Sequence, residues 1–155
     1  MNDNIFSKIL VPIDGSTNSM KAIDYAVDLA EKYNSELLAL HVLYSQSGFA
    51  FHKETVAGAI TSSSLNDLNL DAKQEAEKWF EEIIEKAVKR KIQIKTEVMF
   101  TVISIVEGIL TYAEKENINL IIIGSKGKSG WKKLIVGSVA SGISTYAHCP
   151  ILIVK

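Results

Sequence analysis

The sequence has almost no cysteine, no long apolar run and no excess of either charge, and each shortage removes a class of protein. Cys149 is the single cysteine among 155 residues. It cannot form an internal disulfide, and no Cys/His cluster has the spacing of a zinc site, so a reducing, cytoplasmic setting is expected. The longest apolar run, around Leu120 to Ile123, is far short of the ~18 residues that cross a bilayer. The opening stretch "MNDNIFSKIL" has no long apolar segment ending in small residues, so no signal peptide and no membrane partner are expected. Lys and Arg number 17 against 18 Asp and Glu, a formal net charge of −1, which gives no electrostatic footing for nucleic acid. What remains is 47% hydrophobic and 23% charged, enough apolar material for a sizeable core in one domain over residues 1–155.

Along the chain, apolar strands alternate with amphipathic helices. "KILVPID" (Lys8 to Asp14) is a buried strand closed by an Asp-Gly-Ser turn. Ser16 or Thr17 then caps a helix whose Ala22, Ile23, Ala26, Val27, Ala30 and Tyr33 share one face, with Asn34 as its stop. "ELLALHVL" (Glu36 to Leu43) is a second buried strand. From Tyr44 to Asn66 the pattern dissolves into scattered Gly, Ser and Thr, which is expected to be a long insertion, mobile or only partly helical. A strong helix follows from Leu70, with Ala76, Trp79, Phe80, Ile83, Ile84, Ala87 and Val88 facing inward. "IQIKTEVMF" is a strand nearer the sheet edge, and the next helix buries Ile105, Val106, Ile109, Leu110 and Ala113. "INLIIIGS" is the most apolar strand. A short helix starts near Ser138, and "PILIVK" is the last strand. Strands apolar on both faces and separated by helices predict a five-stranded parallel, doubly wound α/β sheet, three layers deep.

In a sheet ordered 3-2-1-4-5 the winding reverses between the first and fourth strands, and ligands bind beyond the strand ends there. Those ends are Asp14-Gly15-Ser16 and Gly124-Ser125-Lys126-Gly127. The second opens "GSKGKSGWKKLIVGSV", which carries four lysines and no acid. Gly124 and Gly127 would let the backbone turn sharply and bring N–H groups close to an anion. Gly137 and Ser138 stand where a helix begins, so free N–H groups and the positive end of its dipole face outward. Lys126 is the lysine best placed to reach a phosphate. "GKS" at 127–129 imitates the end of a Walker A loop, but Ile122 stands where that motif needs its first glycine, and no G-x-G-x-x-G is present. His41 and His148 are expected to be packed or surface residues, Trp79 and Phe80 core by spacing, and Cys149 a small core residue.

The spacing Gly124-x2-Gly127-x9-Gly137-Ser138 resembles the G-2X-G-9X-G-(S/T) signature of the ATP-binding branch of the universal stress proteins. The likeness extends to "ILVPIDGS", "LHV", "IIIGSKGKSGWKKLIVGSVA" and the terminal "HCPILIV", nearly the whole chain in order. The resemblance implies an adenine nucleotide α-hydrolase-like, Rossmann-like fold. It implies ATP or another adenine nucleotide, with Mg²⁺ on its phosphates. Adenine would lie near Pro12, Ile13, Asp14 and the backbone of Val42. Ribose and phosphates would run over Ile123, Gly124, Lys126, Gly127, Gly137, Ser138 and Val139, with Asp14 near the ribose and any metal. A homodimer through Pro150 to Lys155 is implied as well, which would cover an apolar edge strand. Two departures stand out: "FTVISI" lacks the usual Gly-Pro-like turn after the third strand, and Lys126 replaces a more usual Arg or His, keeping charge without a planar group.

No nucleophile–base pair and no carboxylate pair is visible for catalysis. The role that the resemblance implies is a nucleotide-binding sensor or regulator in the stress response. Slow ATP hydrolysis and a dimeric interaction module that binds no nucleotide are the alternatives.

Overall fold

The computed structural model describes residues 4–45, 62–128 and 136–155, with the backbone alone for 62–68. In chain order the elements are β1 (Lys8–Pro12), α1 (Thr17–Tyr33), β2 (Glu36–Tyr44), α2 (Ser62–Lys89), β3 (Ile94–Thr101), α3 (Ile105–Lys115), β4 (Leu120–Gly124), α4 (Ser138–Tyr146) and β5 (Ile151–Val154). The strands form one parallel sheet in the order β3-β2-β1-β4-β5, as the alternation of elements predicts.

Strand geometry sorts the core into two halves, because successive side chains point to opposite faces. Ile9 and Val11 of β1, with Leu120 and Ile122 of β4, pack against Ala22, Ile23, Ala26 and Ala30 of α1 and Ala76, Phe80, Ile83 and Ala87 of α2. Leu10, Ile121 and Ile123 point the other way, onto Ile109, Tyr112 and Ala113 of α3 and Ala140 and Ile143 of α4. β1 and β4 are therefore buried on both faces, which is why they read as unbroken apolar runs.

The helix ends follow their local chemistry. Ser16 caps α1 by accepting from the Ser19 N–H at 3.2 Å, and Asn34 ends it in the left-handed conformation at φ 53°. Ser104 caps α3 through the Glu107 N–H at 3.1 Å; this serine makes the turn after β3 without the Gly-Pro pair. On α2 the buried stripe is narrower than its apolar residues suggest. Ile84 and Val88 are exposed, because among the described side chains the helix seats on the sheet and α1 through Ala76, Trp79, Phe80, Ile83 and Ala87. Of the insertion expected at 44–66, Tyr44 closes β2, residues 62–66 lie in α2, and 46–61 fall outside the described residues.

The winding decides where a site forms. β1 and β4 are neighbours, yet the chain leaves β1 toward α1 on one face and after β4 reaches α4 on the other. The two exits diverge and leave a crevice at the carboxyl edge of the sheet.

Candidate functional site

The crevice is a cavity of about 460 Å³. The eleven residues picked out in the sequence, Pro12, Ile13, Asp14, Val42, Ile123, Gly124, Lys126, Gly127, Gly137, Ser138 and Val139, all line it. It is also lined by Ser19, Leu40, His41, Ile105, Ile109 and Lys128. Its inner wall, from Leu40, Val42, Ile109 and Ile123, is apolar and buried. Its polar groups gather at the outer end, where β1, β4 and α4 meet.

The β1 end is fixed by its own hydrogen bonds. The Ile13 N–H donates to Leu40 O at 2.8 Å, continuing the ladder one residue past the strand. Ile13 O accepts from His41 Nδ1 at 2.6 Å; since a carbonyl only accepts, the ring carries its proton on Nδ1 in this contact. Asp14 Oδ1 accepts from the Ser16 N–H at 2.9 Å, and Oδ2 from the Lys128 N–H at 3.0 Å. One carboxylate thus ties the β1 turn to the loop after β4. Between them Gly15 has φ +76°, and a Cβ there would lie 2.2 Å from the Trp79 ring, so both its conformation and its space require glycine.

The β4 end is held equally closely. Ser125 is buried; its N–H donates to Val154 O at 2.7 Å, and its carbonyl accepts from the Gly137 N–H at 2.6 Å. Asn18 Nδ2 donates to Ser125 Oγ at 3.3 Å, and the Ser16 hydroxyl donates to Lys126 O at 3.4 Å. Gly137 is the N-cap of α4 and provides no side-chain cap. The first turn of α4, Ser138 to Ala140, lines the cavity, so its backbone donors and the positive end of the helix dipole serve that space. Gly124, Gly127 and Gly137 do not have positive φ. They are needed for close approach, not for an unusual turn: a Cβ on Gly124 would meet Asn18 and Ser19 backbone at 2.7–2.9 Å, and one on Gly127 would meet Asp14 Oδ2 at 2.6 Å.

Three residues gain a place that spacing did not suggest. Trp79, expected in the core, is half-buried and packs edge-on to His41 with ring centroids 5.2 Å apart. The Lys128 ammonium sits 4.4 Å above the Trp79 ring and 3.0 Å from Glu75 Oε1. Glu75 and Trp79 are one helical turn apart on α2, which lets both reach the same ammonium. Lys132 and Lys133 lie outside the described residues. Cys149 is half-buried against the α3–α4 side of the core. Among the described residues no three His, Cys, Asp or Glu side chains gather as a metal-binding group.

Burial raises the Asp14 carboxyl pKa, but hydrogen bonds from Ser16, Ser19 and the Lys128 N–H outweigh it and leave the group below its ordinary 3.8. A depressed native pKa gives stability that is present above the unfolded value and is lost as pH falls through the native one. Asp14→Asn should therefore cost about 1 kcal/mol at pH 7, a modest figure because the carboxylate is partly solvated. Chemical denaturation of both proteins from pH 7 to pH 2.5 tests this. The gap should persist down to about pH 4 and close below it; a gap independent of pH would show that the charge on Asp14 is immaterial.

The model of the universal stress protein family matches residues 6–155. The universal stress protein YxiE of Bacillus subtilis is 35% identical over 162 residues, covering 97% of this chain and 100% of that protein. The universal stress protein MJ0531 of Methanocaldococcus jannaschii is 30% identical over 153 residues, covering 99% and 84%. Among solved structures, UspA from Lactobacillus plantarum superposes with a TM-score of 0.75 at 22% identity, over 97% of this chain and 98% of that one. A universal stress protein from Archaeoglobus fulgidus in complex with dAMP gives 0.65 at 16% identity, over 97% and 99%. One from Arabidopsis thaliana with AMP bound gives 0.65 at 14%, over 96% and 91%.

Proposed function

Because the chain belongs to the universal stress protein family, we propose that the cavity between β1 and β4 binds an adenine nucleotide, ATP foremost. The observation that carries this is the convergence of the motif glycines, Asp14, Lys126 and the open first turn of α4 around one cavity with an apolar inner wall. The dAMP and AMP complexes of two proteins of the same fold support it.

The base takes the apolar end beside Pro12, Ile13 and Val42, where the strand edges offer backbone groups to its polar rim. The ribose and phosphates pass over Ile123, Gly124 and Gly127 toward Gly137, Ser138 and Val139. There the N–H groups of α4 and the Lys126 ammonium neutralise phosphate charge. Lys126 is free for this, since it has no ion pair with the described residues. The residues present also suit a Mg²⁺ ion that arrives with the phosphates. Asp14 is the one carboxylate among the described lining residues, and Mg²⁺ is commonly held by one carboxylate with phosphates and water. When bound, that ion would screen phosphate charge.

Both Asp14 oxygens already accept backbone N–H groups, which suits positioning better than proton transfer. We therefore assign binding, in a cytoplasmic sensor or regulator of the stress response, rather than dedicated turnover. β5 lies at the edge of the sheet with Ile151, Leu152 and Ile153 only partly covered. A second copy pairing along Pro150 to Lys155 would cover that edge.

Calorimetric titration of the protein with ATP and with AMP, each with Mg²⁺, tests the assignment. Dissociation constants in the micromolar range are expected, about −7 to −8 kcal/mol. No heat at millimolar nucleotide, together with no nucleotide detected in the purified protein by mass spectrometry, would remove it.

A further inference from the structure

Two lysines line the described part of the cavity, and they differ in what holds them. Lys126 has no ion pair with the described residues, whereas the Lys128 ammonium sits 3.0 Å from Glu75 and 4.4 Å above the Trp79 ring. Glu75 and Trp79 belong to α2 on the opposite side of the sheet from α4, so this lysine links the glycine loop to an element outside the phosphate cradle. Its backbone N–H is fixed separately, by Asp14 Oδ2 at 3.0 Å. The side chain is thus free to move while the main chain stays in place.

The loop Lys126 to Lys128 also borders a second, more open hollow of about 370 Å³, lined in addition by Gly15, Ser16, Thr17 and Asn18. Lys128 therefore lines both the cavity and the open hollow beside it. Among the described residues, the charged groups here are Lys126, Lys128 and Asp14 on the cavity lining and Glu75 paired with Lys128. The Lys128–Glu75 pair is cheap to break, since the two side chains are 50% and 58% exposed and such pairs contribute little. Its cation–π contact with Trp79 is of the same small order at an exposed site.

Resting on the nucleotide-binding assignment, we propose that Lys128 is the residue by which this site tells a nucleoside polyphosphate from a monophosphate. In the free protein Glu75 and Trp79 hold the ammonium at the rim. A terminal phosphate, a stronger partner than one exposed carboxylate, draws it off. A monophosphate ends at α4 and Lys126 and leaves Lys128 where it is. Glu75 is then a specificity-determining residue that never touches the ligand, because it sets what the polyphosphate must displace.

The test compares ATP with AMP, both in excess Mg²⁺ so that the two ligands carry similar net charge, by calorimetry on wild type, Glu75→Gln, Lys128→Met and the double variant. Lys128→Met should weaken ATP about 5- to 10-fold and AMP less than about 2-fold. Glu75→Gln should raise the preference for ATP over AMP about 2- to 5-fold, the span that the loss of one exposed pair allows. That gain should vanish in the double variant, since it acts only through Lys128. In a Trp131→Phe background Trp79 is the only tryptophan, and its emission should change on adding ATP but not AMP. An unchanged ATP-to-AMP ratio in Glu75→Gln, or a gain that survives Lys128→Met, overturns the proposal while nucleotide binding stands. Failure of wild type to bind either nucleotide overturns both.

Discussion

Gly124→Ala is expected to lower stability by about 2–3 kcal/mol, the usual cost of forcing an extra carbon into a packed interior, and to lower the melting temperature by roughly 5–10 °C for a chain of this size. The cause is the first turn of α1. A Cβ on Gly124 would lie 2.7 Å from the Asn18 carbonyl carbon, 2.8 Å from the Ser19 nitrogen and 2.9 Å from Asn18 O. All three are backbone atoms of a helix whose N-terminus is pinned by the Ser16 cap and by the Asn18–Ser125 contact. None can rotate away as a side-chain tip would, so the strand and helix must separate. That separation would open the core between β4 and α1, where Ile122 and Ile23 are completely buried. Thermal melts followed by circular dichroism, with and without nucleotide, measure the loss. A variant that melts with wild type would show that the helix gives way freely and that Gly124 is in the motif for the ligand alone.

This places Gly124 differently from what the sequence suggests. In the sequence it reads as the first glycine of a phosphate loop; in the fold its missing Cβ is filled by the protein's own helix. The spacing was legible because the segments that carry the site, Asp14 to Ser19, Gly124 to Lys128 and Gly137 to Ala140, are each short and locally determined. The fold was legible for a related reason. β1 and β4 are buried on both faces, and a parallel sheet leaves few ways to join such strands. Trp79 was not legible. It sits beside Phe80 and Ala76 on an amphipathic helix, and helical spacing assigns it to the core. Only the crossing of α2 past Gly15 and His41 brings its ring against those two residues and under the Lys128 ammonium. The Glu75–Lys128 pair joins residues 53 apart in sequence, and no local pattern marks it. Ile84 and Val88 show the converse: apolar by period, they are left exposed by a contact line narrower than the helix face.

Gly127→Ala is expected to do the opposite of Gly124→Ala, weakening nucleotide binding about 10- to 100-fold, roughly 1.4–2.7 kcal/mol, while moving the melting temperature by no more than about 2 °C. Gly127 is exposed. Its added Cβ meets one atom closely, Asp14 Oδ2 at 2.6 Å, with the next, Asp14 Cγ, at 3.8 Å. A carboxylate can turn, so the fold absorbs the change. In turning it releases the Lys128 N–H that it now binds at 3.0 Å, and among the described residues the loop between Lys126 and Lys128 keeps only the longer Ser16–Lys126 contact to the β1 turn. If phosphates lie over this loop, the loss falls on affinity, because the donors must be held in place before the ligand arrives for their full contribution to be felt. Calorimetry with ATP and a thermal melt on the same preparation separate the two effects. Wild-type affinity in a normally folded Gly127→Ala would remove the loop from the ligand's path. A large stability loss would mean that Asp14 cannot yield, and that the carboxylate is part of the frame. A loss of affinity alone would divide the motif by role: its first glycine lets α1 pack against β4, and its second keeps the ligand loop tied to Asp14.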